Sequence, residues 1–560
     1  MSEKTAPAPG VSEQHRKIIQ DLRATVLHGM GFRESDLQRP LIAVVHGWSE
    51  ISPGHFHLRT VAENAKIGVA LGGGVPAEIM VPGICGSVSG GAPSFRYNLP
   101  YRDVAAAMVE VMVALNRFDG AVFIPTCDNV VPAYLMAAAR LNLPSIFLTG
   151  GVARPGEGPQ SRPVTIMDTQ RYHGRFLHGE ISGEDLEEVI CQGCSGPGAC
   201  AEMGTATTMN GLTETLGMSY PGNATIFADR AELLRLARTV GERSVGLVRE
   251  GIRPADIMTE RAVHNAIKMV LAVGGSLNVM VHVAAIAREL DIDVPLELWD
   301  RYSRTTPLIC KVRPNDYEYT VVDLARAGGF PAILSELMPL LDGDLPTVTG
   351  LTLRDNVAGR GRRSQDRRIV RPLSEPFAPE GGIAVLRGSL APEGAVVKQS
   401  AVAPEMMVYS GPARVFDSEE QAIRGLVQDE IHAGEVVVIR YEGPKGSPGA
   451  MEMMNFSHFV AGLGLDVPVI TDGRYSGTNK GPSIGHVSPE AMEGGPLALI
   501  QNGDTVEVDI PNRRLDVCVS REELAEREKA WAPPPLRETR GVLGAYARRS
   551  TSLAHGATIF

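Results

Sequence analysis

The chain has 560 residues, 44% hydrophobic and 21% charged, a composition ordinary for a globular protein of two or more domains. Its net charge of −11 argues against a nucleic-acid or anionic-membrane partner, and no apolar run approaches the roughly 20 residues that span a bilayer. Residues 1–16 lack an apolar h-region, so we interpret them as a disordered tip and not as a signal peptide. Seven cysteines do not make a disulfide scaffold in so long a chain, which predicts a cytoplasmic protein with thiols free for metal.

Apolar runs and helical patterns alternate over the first 150 residues. In chain order, they predict a helix at 17–37, strands at Pro40–His46 and Ala77–Val81, a helix at Tyr101–Asn116, a strand at Gly120–Pro125, a helix at Ala133–Leu141 and a strand at Ser145–Leu148. This alternation is typical of a mostly parallel sheet covered by helices.

Cys127 and Asp128 follow directly on the strand at Gly120–Pro125. In open α/β sheets this edge is where ligands bind. Cysteine is a soft metal ligand and aspartate a hard one, so the pair indicates a site that serves both kinds of metal centre. A buried cysteine beside a helix-capping aspartate is the alternative that the residues alone leave open.

Other cysteines lie in glycine-rich segments. Cys85 belongs to the loop Pro82–Gly91, which could approach an anion but has the composition of many ordinary turns. Residues 152–190 are predicted to be irregular. Cys191 and Cys194 form a single CxxC without a second one, which argues against a zinc ribbon. Cys200 precedes a helix predicted to begin near Glu202, a position that lowers the pKa of a thiol.

The second half of the chain changes character. Residues 225–340 have a helical pattern that breaks at Gly274–Asn278, and a basic run at 360–368 is best interpreted as a solvated linker. Short strands then predict a β-rich, barrel-like domain. The expected fold is therefore an N-terminal mostly parallel α/β domain at 1–375 followed by a β-rich domain at 376–560. Polar groups among glycines at 441–453 and 471–478 follow two of its strands.

Nearly the whole chain resembles the dihydroxy-acid dehydratase and phosphogluconate dehydratase family, which also contains sugar-acid dehydratases. The matching motifs, in order, are Pro53-Gly54-His55, Tyr97 to Arg102, Cys127-Asp128, Leu135 to Gly151, Gly198 to Leu216, Tyr441 to Lys445, Asp472-Gly473-Arg474 and Ile484 to Glu490. The resemblance implies an iron–sulfur hydro-lyase that removes water from a 2,3-dihydroxy acid to give a 2-keto acid.

The resemblance also implies the cluster ligands. Cys127 and Cys200 match two of the three cysteines, and Cys85 matches the third in part of the family. In other members that cysteine stands where this chain has Gly54. An iron left open by three thiolates polarises the C3–O bond. Ser476 matches the proposed base that removes the C2 proton. Three cysteines serve a 2Fe-2S or a 4Fe-4S cluster.

The family's magnesium site is altered in this sequence. Asp128 and Glu452 match two of its usual ligands, whereas Gly86 replaces an aspartate and Asn129 replaces a carbamylated lysine. Ala92-Pro93 stands where relatives usually have His-Glu. Two carboxylates hold Mg²⁺ weakly, so its presence is doubtful. Lys445, Arg474 and Lys480 are the local cations that could replace it.

These departures leave three functions to separate. The first is dehydration of a hydroxylated carboxylic acid, with an unusual substrate. The second is a cluster protein with other chemistry, such as isomerisation or dehydration of another hydroxy acid. The third is a non-catalytic paralogue. The resemblance implies a homodimer or homotetramer. Cys191, Cys194, Cys310 and Cys518 are assigned to packing.

Overall fold

The structure is a computed structural model that describes residues 12–360, 366–475 and 481–560. Its first part is mostly helical around a small sheet. The helices before residue 361 are α1 (Glu13–Gly29), α2 (Leu58–Leu71), α3 (Asn98–Asn116), α4 (Val130–Leu141), α5 (Ile166–Leu177), α6 (Gly183–Gln192), α7 (Thr205–Thr215), α8 (Ala231–Glu250), α9 (Pro254–Ile257), α10 (Glu260–Ala272), α11 (Asn278–Arg288), α12 (Leu296–Thr305), α13 (Val321–Arg326), α14 (Gly329–Leu337) and α15 (Leu353–Arg360). The strands are β1 (Leu41–His46), β2 (Val75–Met80), β3 (Gly120–Ile124), β4 (Ser145–Phe147), β5 (Gly156–Gly158) and β6 (Arg162–Val164).

The remaining elements build a second sheet with helices around it. The strands are β7 (Ala384–Leu386), β8 (Gly394–Val397), β9 (Val408–Phe416), β10 (Val436–Ile439), β11 (Val469–Thr471), β12 (Ser483–Ser488), β13 (Thr505–Asp509) and β14 (Arg514–Val517). The helices are α16 (Glu419–Val427), α17 (Met454–Gly462), α18 (Pro496–Leu499), α19 (Arg521–Ala530) and α20 (Gly541–Arg549).

The first sheet is parallel with strand order β2-β1-β3-β4. Ile42 pairs with Gly120 and His46 with Ile124, so β1 and β3 end at the same edge. Every residue of these two strands is buried. Burial on both faces explains why the strands are continuous apolar runs and do not alternate with polar residues.

The second sheet has eight strands in the order β14-β13-β9-β10-β11-β12-β8-β7. The four central strands are parallel, and antiparallel strands flank them on both sides. The sheet is nearly closed and barrel-like, around a core of apolar side chains such as Val436, Val438 and Ile470. The predicted α/β domain followed by a β-rich domain is therefore confirmed.

Several element boundaries differ from the sequence-based expectation. The segment 152–190 is not irregular, because it contains α5, α6 and the hairpin β5–β6. Helix α6 begins with a reciprocal cap between Ser182 and Asp185, a local signal that the prediction overlooked. The helix expected to begin near Glu202 begins at Thr205, and α1 ends at Gly29. Arg362 and Arg363 of the predicted basic run lie outside the described residues.

The C-terminal residues pack against helix α3 in the first half of the chain. Arg102 on α3 donates to the carbonyls of Gly556 and Ala557 at 2.8 and 3.0 Å, and the Ile559 amide donates to Asp103. Arg102 and Asp103 are both fully buried and form an ion pair. Among the helices in the described ranges, none is long and apolar enough to cross a membrane.

Candidate active site

The carboxyl edge of the first sheet collects the loops that carry the predicted thiols. Cys85 follows β2 and Cys127 follows β3. Cys200 reaches the same edge because Ala199, just before it, pairs with Val152 beyond the end of β4. The Ala199 amide donates to the Gly151 carbonyl, and its own carbonyl accepts from Ala153 at 2.7 Å. Three cysteines that are far apart in sequence are thus brought to one place.

Cys85, Cys127 and Cys200 line one cavity of about 150 Å³. A hydrogen bond between the sulfurs of Cys85 and Cys127 lowers the pKa of Cys85 and raises the pKa of Cys127. Burial raises the pKa of Cys200 well above its usual range. Three thiols on one small cavity are the donor set that an iron–sulfur cluster uses.

The loop after β1 leaves room beside these thiols. A Cβ atom on Gly54 would lie 2.2 Å from the Cys127 sulfur, and the Gly198 amide bonds to the Pro53 carbonyl. Gly54 itself lines the cavity of the three thiols. The missing side chain keeps the cavity open, and the residues present fit a cluster.

A site for a single metal ion needs several ligands around one point, unlike a site for a cluster. In residues 12–360, 366–475 and 481–560, no three His, Cys, Asp or Glu side chains are close enough to hold one metal ion. This is compatible with a cluster, because its thiolates bind different irons and need not meet at one point.

A second, larger cavity of about 440 Å³ adjoins the first. Ser87, Ile166, Cys200 and Glu202 line both. Asp128 lines only the larger one, where burial raises the pKa of its carboxyl group. This second cavity lies beside the thiols and has the volume for a small carboxylic acid.

Glu452 is already bonded to other groups of the chain. Its Oε1 forms a 2.9 Å ion pair with Arg474 and accepts a 3.0 Å hydrogen bond from Asn278. Burial raises the pKa of Glu452 to about 7. Because Arg474 and Asn278 engage Oε1, and Gly86 and Asn129 replace two expected ligands, Glu452 and Asp128 do not make a magnesium site that fits the family's four-ligand pattern.

The two altered magnesium positions are packed differently from each other. A Cβ atom on Gly86 would lie 2.8 Å from both Phe95 and Asn98, so side chains have closed over the place of the usual aspartate. Asn129 is buried, and within the described part of the chain its amide oxygen and nitrogen make no hydrogen bond. Asn129 follows Asp128 directly but lines neither cavity.

Glu202 is a site residue that the sequence interpretation missed. Its side chain is 1% exposed, and neither carboxylate oxygen has a hydrogen-bond partner among the residues that the structure describes. Burial raises its pKa to about 8. The sequence signal was a single charge in the apolar, glycine-rich segment that follows Cys200.

The remaining predicted residues have different outcomes. Ser476 and Lys480 lie outside the described residues. Lys445 pairs with Glu493 near the surface, whereas Arg474 is 1% exposed. Of these cations, Arg474 is therefore the one that the described structure places beside Glu452.

The assignment of four cysteines to packing is correct only for Cys310, which is buried. Cys191, Cys194 and Cys518 are exposed. Cys194 also lines the cavity of the three predicted cluster thiols. The segment 193–200 wraps around this cavity, which explains why a cysteine outside the predicted ligand set reaches it.

Two family models match most of the chain. The model described as dihydroxy-acid/6-phosphogluconate dehydratase N-terminal matches residues 39–356, and the corresponding C-terminal model matches residues 368–557. The chain is similar to proteins named dihydroxy-acid dehydratase. One from Moorella thermoacetica is 46% identical over 542 residues, 96% of this chain and 97% of the relative. Another from Ruminiclostridium cellulolyticum is 44% identical over 541 residues, with the same shares covered. A third from Solidesulfovibrio magneticus is 45% identical over 538 residues, 95% of this chain and 96% of the relative.

Proposed function

Because the chain belongs to the dihydroxy-acid/6-phosphogluconate dehydratase family, we propose that it is a hydro-lyase acting on a 2,3-dihydroxy or sugar acid. The reaction removes the C2 proton and breaks the C3–O bond, and the resulting enol becomes a 2-keto acid. The observation that carries this proposal is the shared cavity of Cys85, Cys127 and Cys200 beside a larger cavity.

The three thiolates are the proposed ligands of an iron–sulfur cluster. When bound, such a cluster supplies an iron that acts as a Lewis acid on the hydroxyl group that leaves. The protein's own contribution is to hold the acid in the larger cavity with its C3 end toward Cys200, which lines both cavities.

Ser476 is the proposed base that takes the C2 proton. A serine hydroxyl has a pKa far above neutral unless a cation lies nearby. Arg474, two positions earlier in the chain, is a buried cation with this potential. The magnesium ion of the family has no part in this proposal, since the residues present do not fit it.

The experiment is an assay of the protein purified without oxygen. Iron and sulfide are measured per chain, and the protein is incubated with 2,3-dihydroxy-3-methylbutanoate and a panel of aldonic acids. We expect a bound cluster and a 2-keto acid from at least one compound. A fully loaded protein that forms no keto acid from any of them contradicts the proposal.

Cysteine variants test the ligand assignment in the same preparation. Cys85→Ser, Cys127→Ser and Cys200→Ser are each expected to lose most of the iron. Cys191→Ser is the matched control, because Cys191 is exposed and does not line the cavity. Equal iron in Cys85→Ser and Cys191→Ser would remove Cys85 from the ligand set.

A second candidate function is different chemistry on the same cluster, such as isomerisation or dehydration of another hydroxy acid. The altered positions Gly86 and Asn129 and the ion pair of Glu452 favour it. Gly86→Asp combined with Asn129→Lys separates the two candidates. If only the double variant dehydrates 2,3-dihydroxy acids, the natural site performs the other chemistry. A protein that binds no iron would instead support a non-catalytic paralogue.

A self-associating assembly is proposed on the basis of exposed apolar side chains. Helix α1 buries none of its residues, and Ile18, Leu22 and Val26 are each more than half exposed. Val111 and Leu115 on α3 are exposed as well, and Arg23 joins the two helices through the Asn116 carbonyl. Light scattering is expected to give a dimer or tetramer, and a mass of 59.9 kDa would contradict it.

The proposed domain boundary lies near residue 375. Strands β1–β6 precede it and β7–β14 follow it, so each sheet is built from one continuous part of the chain. Limited proteolysis is expected to cut first between residues 366 and 375. Initial cleavage inside either sheet would argue against this boundary.

A further inference from the structure

Glu202 lies at the junction of the two cavities. It is the charged member of the four residues that line both, with Ser87, Ile166 and Cys200 as the others. The backbone next to Glu202 is fixed, because the Met203 amide donates a hydrogen bond to the Arg313 carbonyl at 2.7 Å. Glu202 therefore faces both the proposed cluster cavity and the proposed substrate cavity.

The carboxyl group of Glu202 lacks the partners that a buried charge requires. Its two oxygens make no hydrogen bond within the ranges that the structure describes. Leaving a buried polar group unbonded destabilises the folded state, and the effect is larger for a charged group. A carboxyl group kept in this state points to a partner that enters from the cavity.

Neighbouring groups of the chain are already engaged. The nearby cation is Arg313, whose Nη1 donates to Asp168 at 2.6 Å. Its Nη2 and Nε donate to the carbonyls of Pro163 and Tyr317, both at 3.0 Å. The Thr165 hydroxyl is a neighbouring neutral donor that interacts weakly with Glu202, and no hydrogen bond of standard geometry joins it to either carboxylate oxygen.

A hydroxyl group of the substrate is a better hydrogen-bond partner for Glu202 than the substrate carboxylate. It both donates and accepts a hydrogen bond, so it satisfies a carboxyl group in either protonation state. A substrate carboxylate placed against Glu202 would be repelled by the ionised Glu202 carboxylate, so the carboxylate end of the acid points away from Glu202. The hydroxyl that must approach the thiol-lined cavity in the proposed reaction is the one on C3.

We propose that Glu202 binds the C3 hydroxyl group of the substrate by hydrogen bonding and so selects acids that carry one. This inference rests on the proposed function and adds a substrate-contacting residue to it. The group is hydrogen-bonded to Glu202 before the C3–O bond breaks, and Glu202 itself gains no covalent bond.

The test uses two acids that differ only in this hydroxyl. The probes are 3-hydroxy-3-methylbutanoate and 3-methylbutanoate, neither of which has the 2-hydroxyl needed to form a 2-keto acid. Their dissociation constants are measured by calorimetry on oxygen-free, cluster-loaded protein. Wild-type protein is expected to prefer the hydroxylated probe by about tenfold or more.

The variant Glu202→Met keeps side-chain length and removes both oxygens, so the preference is expected to vanish. Glu202→Asp is used instead if Glu202→Met does not load its cluster. It withdraws the carboxyl group by one methylene and is expected to reduce the preference for the hydroxylated probe. Gln170→Met is the matched control, because Gln170 lines only the larger cavity. It is expected to keep the wild-type preference.

The outcomes separate this inference from the proposed function. An unchanged preference in the Glu202 variants, or no preference in the wild-type protein, overturns the role of Glu202. If the wild-type protein also forms a keto acid from a dihydroxy acid, only this inference fails. If it forms none although Glu202 controls hydroxyl binding, the proposed dehydration fails.

Discussion

At the scale of single residues, Gly54 shows how an absent side chain shapes the candidate site. Gly54 lines the cavity of the three thiols, and a Cβ atom on it would lie 2.2 Å from the Cys127 sulfur. Cys85, the proposed third thiol, follows the next strand along the chain and lines the same cavity. Both loops therefore reach one place at the same sheet edge.

We predict that Gly54→Ala lowers the cluster content. The added methyl group would lie 2.2 Å from the Cys127 sulfur, and such overpacking costs about 1–3 kcal/mol. Gly196→Ala is the control, since its Cβ would have no neighbour within 4 Å among the described residues. Iron per chain is measured after reconstitution without oxygen, and equal values for both variants would contradict the prediction.

Residue identity alone did not reveal which polar groups are buried. Glu202 and Arg474 are both charged residues in glycine-rich segments, where exposure is the ordinary expectation. The structure buries both beside the candidate site. Burial depends on packing by distant segments, so no local pattern around these residues could have predicted it.

At the scale of elements, two glycines bring helices α2 and α8 into contact. A Cβ atom on Gly68 would lie 2.0 Å from the Arg238 carbonyl oxygen, and one on Gly241 would lie 2.1 Å from that of Ala65. Glycine inside a helix costs about 1 kcal/mol relative to alanine. The close packing of backbones explains why glycine is kept at both places despite this cost.

Gly241→Ala is therefore predicted to destabilise the protein, because the methyl group pushes the two backbones apart. We expect a loss of about 1–3 kcal/mol in the free energy of unfolding, measured by urea denaturation. The control, Gly246→Ala in the same helix, meets only the ends of side chains. It is expected to be neutral or stabilising, and a loss as large as that of Gly241→Ala would refute the packing explanation.

A buried carboxyl pair joins α16 to the loop after β10. Glu442 accepts a hydrogen bond from the Glu419 amide, and Glu419 accepts one from Phe456. Burial raises the pKa of Glu419 to about 8. Because the unfolded state has the lower pKa, the native state binds more protons between about pH 4.5 and 8, and stability falls as pH rises through this window.

Glu419→Gln is predicted to weaken this pH dependence. Removing one titrating group changes the slope of unfolding free energy by at most about 1.4 kcal/mol per pH unit. Urea midpoints between pH 5.5 and 8 measure the effect. Glu420→Gln is the control because Glu420 is exposed, and identical slopes in both variants would show that Glu419 does not titrate in this range.

At the scale of the whole molecule, the C-terminal segment holds the two halves together. Gly556 and Ala557 supply the carbonyls that satisfy the buried Arg102, and Ile559 bonds to Asp103. Other links between the halves are the bonds of Glu452 with Asn278 and of Arg513 with Asp300. The candidate site therefore depends on contacts that cross the proposed domain boundary.

We predict that ending the chain after His555 strongly destabilises the protein. Arg102 then loses two acceptors and Asp103 loses one donor, and each hydrogen bond to a buried charged group contributes about 1.5–3 kcal/mol. Thermal and urea unfolding measure the loss. Removing only Phe560, whose side chain is 60% exposed, serves as the control and is expected to have little effect. Equal stability of the two truncated forms would show that Arg102 needs no partner from the C-terminus.

The sequence by itself determined the fold class, the family and most strands near the candidate site, because apolar runs and ordered motifs are local features. It also identified Cys85, Cys127 and Cys200 through the resemblance. Only the tertiary structure decided that these thiols share a cavity with Cys194, that Glu452 is paired with Arg474 and that Glu202 is buried with no hydrogen bond from any described residue. Those facts depend on how segments far apart in the chain pack together, and the free energy of a buried charge is set by that packing.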